Sequence, residues 1–142
     1  MTKLKQLNES FPNGDCQRTV FACLLDMDSP ELVPNFTEME DSHDEIVKMF
    51  DYNVQKWLDE NNLYYLEMTI EAFKVNSSPF MPEGYCTIIG KSPRGEHNHI
   101  VIGKLEKVDN KYEISYIWDT SPLHNGIFLD TVKYIGFLSR KL

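Results

Sequence analysis

Cys16 has the setting of a thiol nucleophile in this 142-residue sequence. Gly14 and Asp15 are typical of a turn and a helix cap, Cys16 follows at the first helical position, and a hydrophobic run comes next. A thiol at a helix N-terminus lies at the positive end of the helix dipole, which favours the thiolate. The alternative is a buried structural cysteine. The nucleophile interpretation requires that the chain also supply a base and an oxyanion donor.

His99 and Asp119 are the residues that could serve as base and orienting acid. His99 opens a strand-like run directly after a loop, so a strand would hold its ring rigidly beside that loop. Asp119 ends the next strand-like run, directly after Trp118. If these strands are antiparallel neighbours, the carboxylate can orient the imidazole and hold its tautomer. Taken singly, a sheet histidine and a turn aspartate are structural residues.

Gln6 offers an amide donor for an oxyanion hole, with the backbone N–H of Cys16 as its partner. Asp15, next to the nucleophile, is expected to oppose thiolate formation slightly, so an ion pair with His99 must dominate. These residues predict a Cys-His-Asp site completed by Gln6. The chemistry they support needs no cofactor and no metal.

A metal site is the competing interpretation of the histidines. His97 and His99 form a His-x-His pair, and zinc accepts His, Cys and Asp as ligands. Further candidate ligands are Cys86, Asp119 and His124. The sequence lacks the second close pair of a structural zinc motif, so the zinc interpretation ranks below the thiol interpretation.

Charge and composition limit the classes of partner. The formal net charge is −8 and no basic cluster is present, which disfavours nucleic-acid binding. The sequence shows no signal peptide and no apolar run of transmembrane length, so no membrane partner is expected. Cys16 and Cys23 would lie about 10 Å apart along a helix, too far for a disulfide. With three cysteines, a reducing cytoplasm fits best. The oligomeric state is left open.

The hydrophobic pattern predicts helices followed by strands. The first helix should end between Asp26 and Ser29, and its apolar residues mark one buried face. Ser42 and Glu45 fit a capping box for a second helix that ends at 61–62. Its apolar stripe consists of Ile46, Val47, Phe50, Val54, Trp57 and Leu58.

The second half of the chain predicts an antiparallel sheet. Residues 74–83 are expected to form a loop, and Asp109 with Asn110 a hairpin turn. Strands are expected at 64–70, 85–90, 99–105, 112–118 and 128–138. The order of elements indicates one α+β domain over residues 1–142, with helices packed on the sheet.

Taken in order, these motifs resemble compact papain-like (NlpC-type) cysteine peptidases of phage and bacterial genomes. The matching segments are Gln6, then Asn-Gly-Asp before Cys16 and its helix, then Ser-Pro-Arg-Gly ahead of His99, then Trp-Asp119-Thr-Ser-Pro. The resemblance spans nearly the whole chain. It implies a papain-like core in which Cys16 is the nucleophile, His99 the base and Asp119 its orienting partner. Gln6 would line the oxyanion hole.

Three features depart from the family pattern. Ile100 replaces a small residue after the histidine and is expected to narrow the site. Trp118 precedes Asp119 where a histidine is common, and Thr120 and Ser121 separate Asp119 from the following proline. The leading function is a thiol hydrolase or acyl transferase acting on a peptide, isopeptide or other amide bond. The alternatives are a non-enzymatic papain-like binding module, such as a phage protein that blocks a host factor, and a zinc protein.

Overall fold

Helices precede and flank an antiparallel sheet in the computed structural model, which confirms the expected α+β class. The structure describes residues 1–7, 15–36, 43–76, 83–93, 95, 97–109, 111–121 and 126–142. The helices in these ranges are α1 (Cys16–Leu24), α2 (His43–Glu60) and α3 (Ile70–Asn76). The strands are β1 (Leu63–Thr69), β2 (Gly84–Lys91), β3 (Asn98–Val108), β4 (Lys111–Trp118) and β5 (Tyr134–Arg140).

The five strands form one sheet in the order β1-β5-β2-β3-β4, and every neighbouring pair is antiparallel. β3 and β4 form the expected hairpin, with Val108 paired to Lys111. Asp109 in the turn has a φ of 51°, the left-handed conformation that tight hairpin turns require. The hairpin makes β3, which carries His99, the neighbour of β4, which ends just before Asp119.

The middle of helix α1, residues 19–23, is buried on all sides. Val20 packs on Ile100 and Ile102 of β3, whereas Phe21 stacks on Trp57 of α2 with a ring-centroid distance of 6.0 Å. Its fully buried residues are Thr19, Val20, Phe21, Ala22 and Cys23. Five consecutive buried residues cover every side of a helix, as in helices of a protein core. The expected single buried face was therefore too narrow, and the sheet and α2 together fix the axis of α1.

The helix ends follow the backbone conformation of single residues. α1 ends at Leu24, earlier than expected, because Asp26 adopts a left-handed φ of 56°. α2 ends before residues 61–62 as expected, and Asn62 has a φ of 58°. Val54, Trp57 and Leu58 of its stripe are buried. The predicted capping serine, Ser42, lies outside the described residues.

Helix α3 was not predicted. The sequence pattern assigned Ile70 to a strand and residues from 74 onward to a loop, but Ile70–Asn76 is helical. Thr69 Oγ1 accepts the N–H of Ala72 at 3.1 Å, so this threonine caps the helix. Phe73 anchors α3 on the sheet. Seven residues are too few for a clear helical period, which explains the miss.

The closing strand begins six residues later than predicted. Leu129–Thr131 forms a 3₁₀ turn, and β5 starts at Tyr134. Thr131 Oγ1 accepts the N–H of Lys91 at 2.8 Å, which holds the turn against the end of β2. Gly90 permits this contact, because a Cβ there would lie 3.0 Å from Ile127 Cδ1. Val132 of this segment packs against the sheet core without joining the sheet, whereas Phe128 and Leu129 are exposed.

Gly136 lets a tyrosine cross β5. The hydroxyl of Tyr65 on β1 reaches over Gly136 to Thr87 Oγ1 on β2 at 2.7 Å. A Cβ at Gly136 would overlap both hydroxyl oxygens. We expect Gly136→Ala to lower the free energy of unfolding by about 3 kcal/mol through overpacking. Urea unfolding measures this, with the exposed Ser139→Ala on the same strand as control. An unchanged midpoint would contradict the crossing.

Candidate active site

The N-terminus of α1 presents Cys16. Its side chain is half-buried and its thiol is free. The first intrahelical bond runs from Thr19 N–H to the carbonyl of Asp15 at 3.1 Å, and the Thr19 hydroxyl donates to the same oxygen at 2.7 Å. The N–H of Cys16 precedes this ladder and points out of the helix end. Nucleophile and potential oxyanion donor therefore belong to one residue.

His99 lies between Cys16 and Asp119. Its Nε2 is 2.6 Å from Asp119 Oδ1, and its side chain also hydrogen-bonds the side chain of Cys16. Because Nε2 faces the carboxylate, Nδ1 is the ring nitrogen available to the thiol. His99 is 3% exposed and Asp119 is fully buried. The expected proximity of the strand histidine and the strand-end aspartate is thus observed.

The charge on His99 follows from competing effects. Burial lowers the pKa of its imidazole, but the hydrogen bonds to Asp119 and Cys16 raise it, and the net effect is a pKa of about 9. The ring is therefore an imidazolium at neutral pH. An imidazolium in contact with a thiol is the arrangement that activates nucleophilic cysteines in general.

Both carboxylate oxygens of Asp119 accept hydrogen bonds from backbone N–H groups. Its Oδ1 accepts the N–H of Ser121 at 3.0 Å, and its Oδ2 accepts the N–H of Gly126 at 2.9 Å. Burial opposes ionisation, but the hydrogen bonds from His99, Ser121 and Gly126 together hold the pKa of Asp119 below its usual value. The carboxylate stays charged and fixes the His99 ring.

A β-bulge shapes the end of β4. Ile102 pairs with Trp118 but Gly103 pairs with Tyr116, which leaves Ile117 as the extra residue. A Cβ on Gly103 would lie 2.9 Å from the carbonyl oxygen of Ser115, so glycine permits this close approach. Bulges bend a strand and re-aim the residues after it. Here the residue that follows the bent strand end is Asp119.

Gln6 reaches the same end of α1. Its N–H donates to the carbonyl of Thr120 at 2.7 Å, and the Thr120 hydroxyl donates to Gln6 Oε1 at 3.2 Å. The next residue, Leu7, donates its N–H to Asp15 Oδ2 at 3.1 Å. Gln6 precedes Leu7 and Cys16 follows Asp15, so the two predicted site residues flank this hydrogen bond. The structure brings all four predicted site residues together.

Arg18 compensates the negative charge of Asp15 beside Cys16. Its buried carboxylate forms an ion pair with Arg18, with Nε 3.2 Å from Oδ2, and also accepts the N–H of Leu7. The guanidinium charge offsets the carboxylate charge. The expected opposition of Asp15 to thiolate formation is therefore reduced by a residue one turn further along α1.

The other two cysteines have different surroundings. Cys23 and Cys86 are fully buried and free. Burial raises the pKa of the Cys23 thiol, and burial raises that of Cys86 to about 12. Cys23 Sγ instead accepts the N–H of Leu4 at 3.4 Å. Both thiols are core groups, in contrast to Cys16.

The residues that depart from the family pattern contribute to the site. Trp118 Nε1 donates to the carbonyl of Leu4 at 2.9 Å, Thr120 binds Gln6, and the N–H of Ser121 binds Asp119. Ile100 packs beneath α1 in the cluster that includes Cys16. Sequence reasoning assigned no role to Thr120. Its place directly after Asp119 was the available signal, and only the fold shows its partner.

The metal interpretation finds no support in the part of the chain that the structure describes. No group of three or more His, Cys, Asp or Glu side chains there could hold a metal ion. His97 lies in that part, whereas His124 is outside the described residues. The ring of His99 is already engaged by Asp119 and Cys16.

Comparisons of the chain with models of protein families, with curated proteins and with solved structures give no match. The resemblance to papain-like peptidases therefore remains a prediction from motifs. Among the described helices, none combines the length and the apolar character needed to cross a bilayer. The chemistry of the site has to be inferred from its own residues.

Proposed function

We propose that this protein is a thiol-dependent hydrolase or acyl transferase that acts on an amide, peptide or isopeptide bond through Cys16, His99 and Asp119. The observation that carries the proposal is the buried His99 ring, hydrogen-bonded to a half-buried thiol and to a fixed carboxylate. A nucleophile, a base and an orienting group in series are the parts that covalent acyl transfer requires.

The reaction proceeds in two halves. The Cys16 thiolate attacks the substrate carbonyl carbon, a C–S bond forms, and the carbonyl electrons move to oxygen. The Gln6 amide and the N–H of Cys16 stabilise that oxyanion. The His99 imidazolium gives its proton to the departing amine as the C–N bond breaks, leaving a thioester. Water or an acceptor amine, deprotonated by His99, then releases the acyl group and regenerates the thiolate. Asp119 stays ionised throughout.

A papain-like core of the NlpC type is part of the proposal. Its support is the nucleophile at the start of a buried helix, the base on an adjoining antiparallel strand, and the chain order Gln6, Cys16, His99, Asp119. We place the protein in the cytoplasm, because a reducing compartment suits three free thiols. The partner is a peptide, a protein or another amide-containing substrate.

Selective modification of Cys16 is the first test. At neutral pH, we expect iodoacetamide to alkylate Cys16 at least about 10-fold faster than Cys23 or Cys86, because thiolate character and access control thiol reactivity. We also expect p-nitrophenyl acetate to leave one acetyl group on Cys16. Peptide mass mapping measures both.

The control variants are Cys86→Ala, which should keep both reactions, and Cys16→Ala, which should lose them. Equal alkylation rates at the three cysteines, or no acetyl group on Cys16, would overturn the proposed function. An inert Cys16 in a folded protein would favour a binding module instead.

A further inference from the structure

Thr120 makes two hydrogen bonds to a single residue, Gln6. One joins the backbones, from Gln6 N–H to Thr120 carbonyl at 2.7 Å, and the other runs from the Thr120 hydroxyl to Gln6 Oε1 at 3.2 Å. Thr120 is fully buried and Gln6 is 8% exposed. The bonded pair therefore lies in the protein interior, where hydrogen bonds are protected from exchange with water.

The side-chain bond fixes the orientation of the Gln6 amide. An amide presents an acceptor oxygen at one end and a donor NH₂ at the other. Because the Thr120 hydroxyl donates to Oε1, the NH₂ group is turned to the opposite side. If the amide rotated by half a turn, it would present oxygen to a developing oxyanion, and the two would repel each other.

The segment that carries Gln6 bridges α1 and the end of β4. Leu4 N–H binds Cys23 Sγ at one end of α1, and Leu7 N–H binds Asp15 at the other. Between them, the indole N–H of Trp118 binds the Leu4 carbonyl. Thr120 completes this bridge and directly follows Asp119. The Gln6 amide and the Asp119 carboxylate are therefore positioned relative to each other by one short stretch of chain.

We propose that Thr120 is a positioning residue. It holds the Gln6 amide with its NH₂ group toward the oxyanion and fixes the position of that amide relative to Asp119. This inference rests on the proposed function. It assigns no contact between Thr120 and substrate. Its consequence is that Thr120 affects only those reactions of Cys16 in which an oxyanion forms.

Two reactions of the same thiol separate these roles. Iodoacetamide alkylates the thiolate by displacing iodide at an sp³ carbon, so no oxyanion forms. p-Nitrophenyl acetate is attacked at its carbonyl carbon: the C–S bond forms, an oxyanion develops, and p-nitrophenolate leaves as the C–O bond breaks. We expect Thr120→Val to slow acetylation about 10–100-fold, somewhat less than complete loss of an oxyanion donor. Alkylation should stay within about twofold, since thiolate reactivity is set by its charge and access.

Rescue and matched controls complete the experiment. Thr120→Ser keeps the hydroxyl and should restore acetylation. Gln6→Ala should slow acetylation relative to alkylation at least as much as Thr120→Val does. The double variant should be no slower than Gln6→Ala alone. Thr87→Val removes another buried threonine hydroxyl, the one bonded to Tyr65 at 2.7 Å, and should leave both rates unchanged.

The outcomes are distinct. Acetylation and alkylation that fall together in Thr120→Val, or acetylation that does not fall, would overturn the positioning role while the proposed function stands. If Thr120→Val does not fold, unchanged acetylation in Gln6→Ala overturns the role in the same way. If the unmodified protein forms no acetyl-enzyme, the proposed function fails and this inference fails with it.

Discussion

Replacement of His99 by glutamine is expected to slow acetylation of Cys16 at neutral pH by about 10²–10⁴-fold, the range that a positioned acid–base group contributes. The variant loses the imidazolium that the structure places against the thiol. Glutamine keeps hydrogen-bonding capacity but cannot carry charge. Stopped-flow release of p-nitrophenolate measures the rate, and His97→Gln makes the same change two residues away, outside the triad.

The pH profile separates a catalytic loss from a folding defect. With its pKa of about 9, His99 stays positively charged beside the Cys16 thiol across neutral pH. In His99→Gln the thiol must ionise unaided, near about pH 8.5 for an ordinary cysteine. Alkylation of the variant should therefore be slow at neutral pH and recover in alkaline solution. Equal alkylation rates for both proteins at neutral pH would contradict the proposed activation of Cys16 by His99.

Replacement of Asp119 by alanine is expected to lower the free energy of unfolding by about 3–5 kcal/mol, the cost of breaking a buried ion pair by removing one partner. The substitution removes the acceptor of three hydrogen bonds, from His99, Ser121 and Gly126. It also removes a group that raises the pKa of His99, so activity should fall as the imidazolium is lost.

The stability difference between the two proteins should depend on pH. The pKa of His99 is raised from 6.5 to about 9, so its contribution is complete below pH 6.5 and is lost as the pH rises through 9. The pKa of Asp119 is lowered from 3.8, so its contribution is present above that pH and is lost in acid. In urea unfolding, the difference in free energy of unfolding between the unmodified protein and Asp119→Ala should be largest at pH values between these limits. A difference that grows toward alkaline pH would contradict the ion pair.

The proximity of Cys16, His99 and Asp119 was accessible from sequence because each of them marks the end of an element. Cys16 starts a helix, His99 lies at the start of a strand, and Asp119 follows a strand, and such ends are visible as changes of hydrophobic period. The hairpin turn at Asp109 then made the two strands neighbours. Local signals and one short connection were sufficient.

The partners of these residues were not accessible in the same way. Arg18 compensates Asp15 within one helical turn, but the sequence does not show which way either side chain points. The contacts of Thr120 with Gln6 and of Trp118 with Leu4 each span 114 positions. No local period encodes such pairs. The bulge at Ile117 likewise depends on the close approach of Gly103 to the neighbouring strand.

These long separations have a consequence during synthesis. A ribosome-bound chain exposes Cys16 early, but the imidazole partner comes 83 positions later and its carboxylate 20 positions after that. The contacts that hold Gln6 also wait for residues 118–120 to emerge. Until then, the thiol lacks the cation that activates it. Under the proposed mechanism, the Cys16 thiol therefore gains its activating partner only after residues 99–120 have emerged and folded.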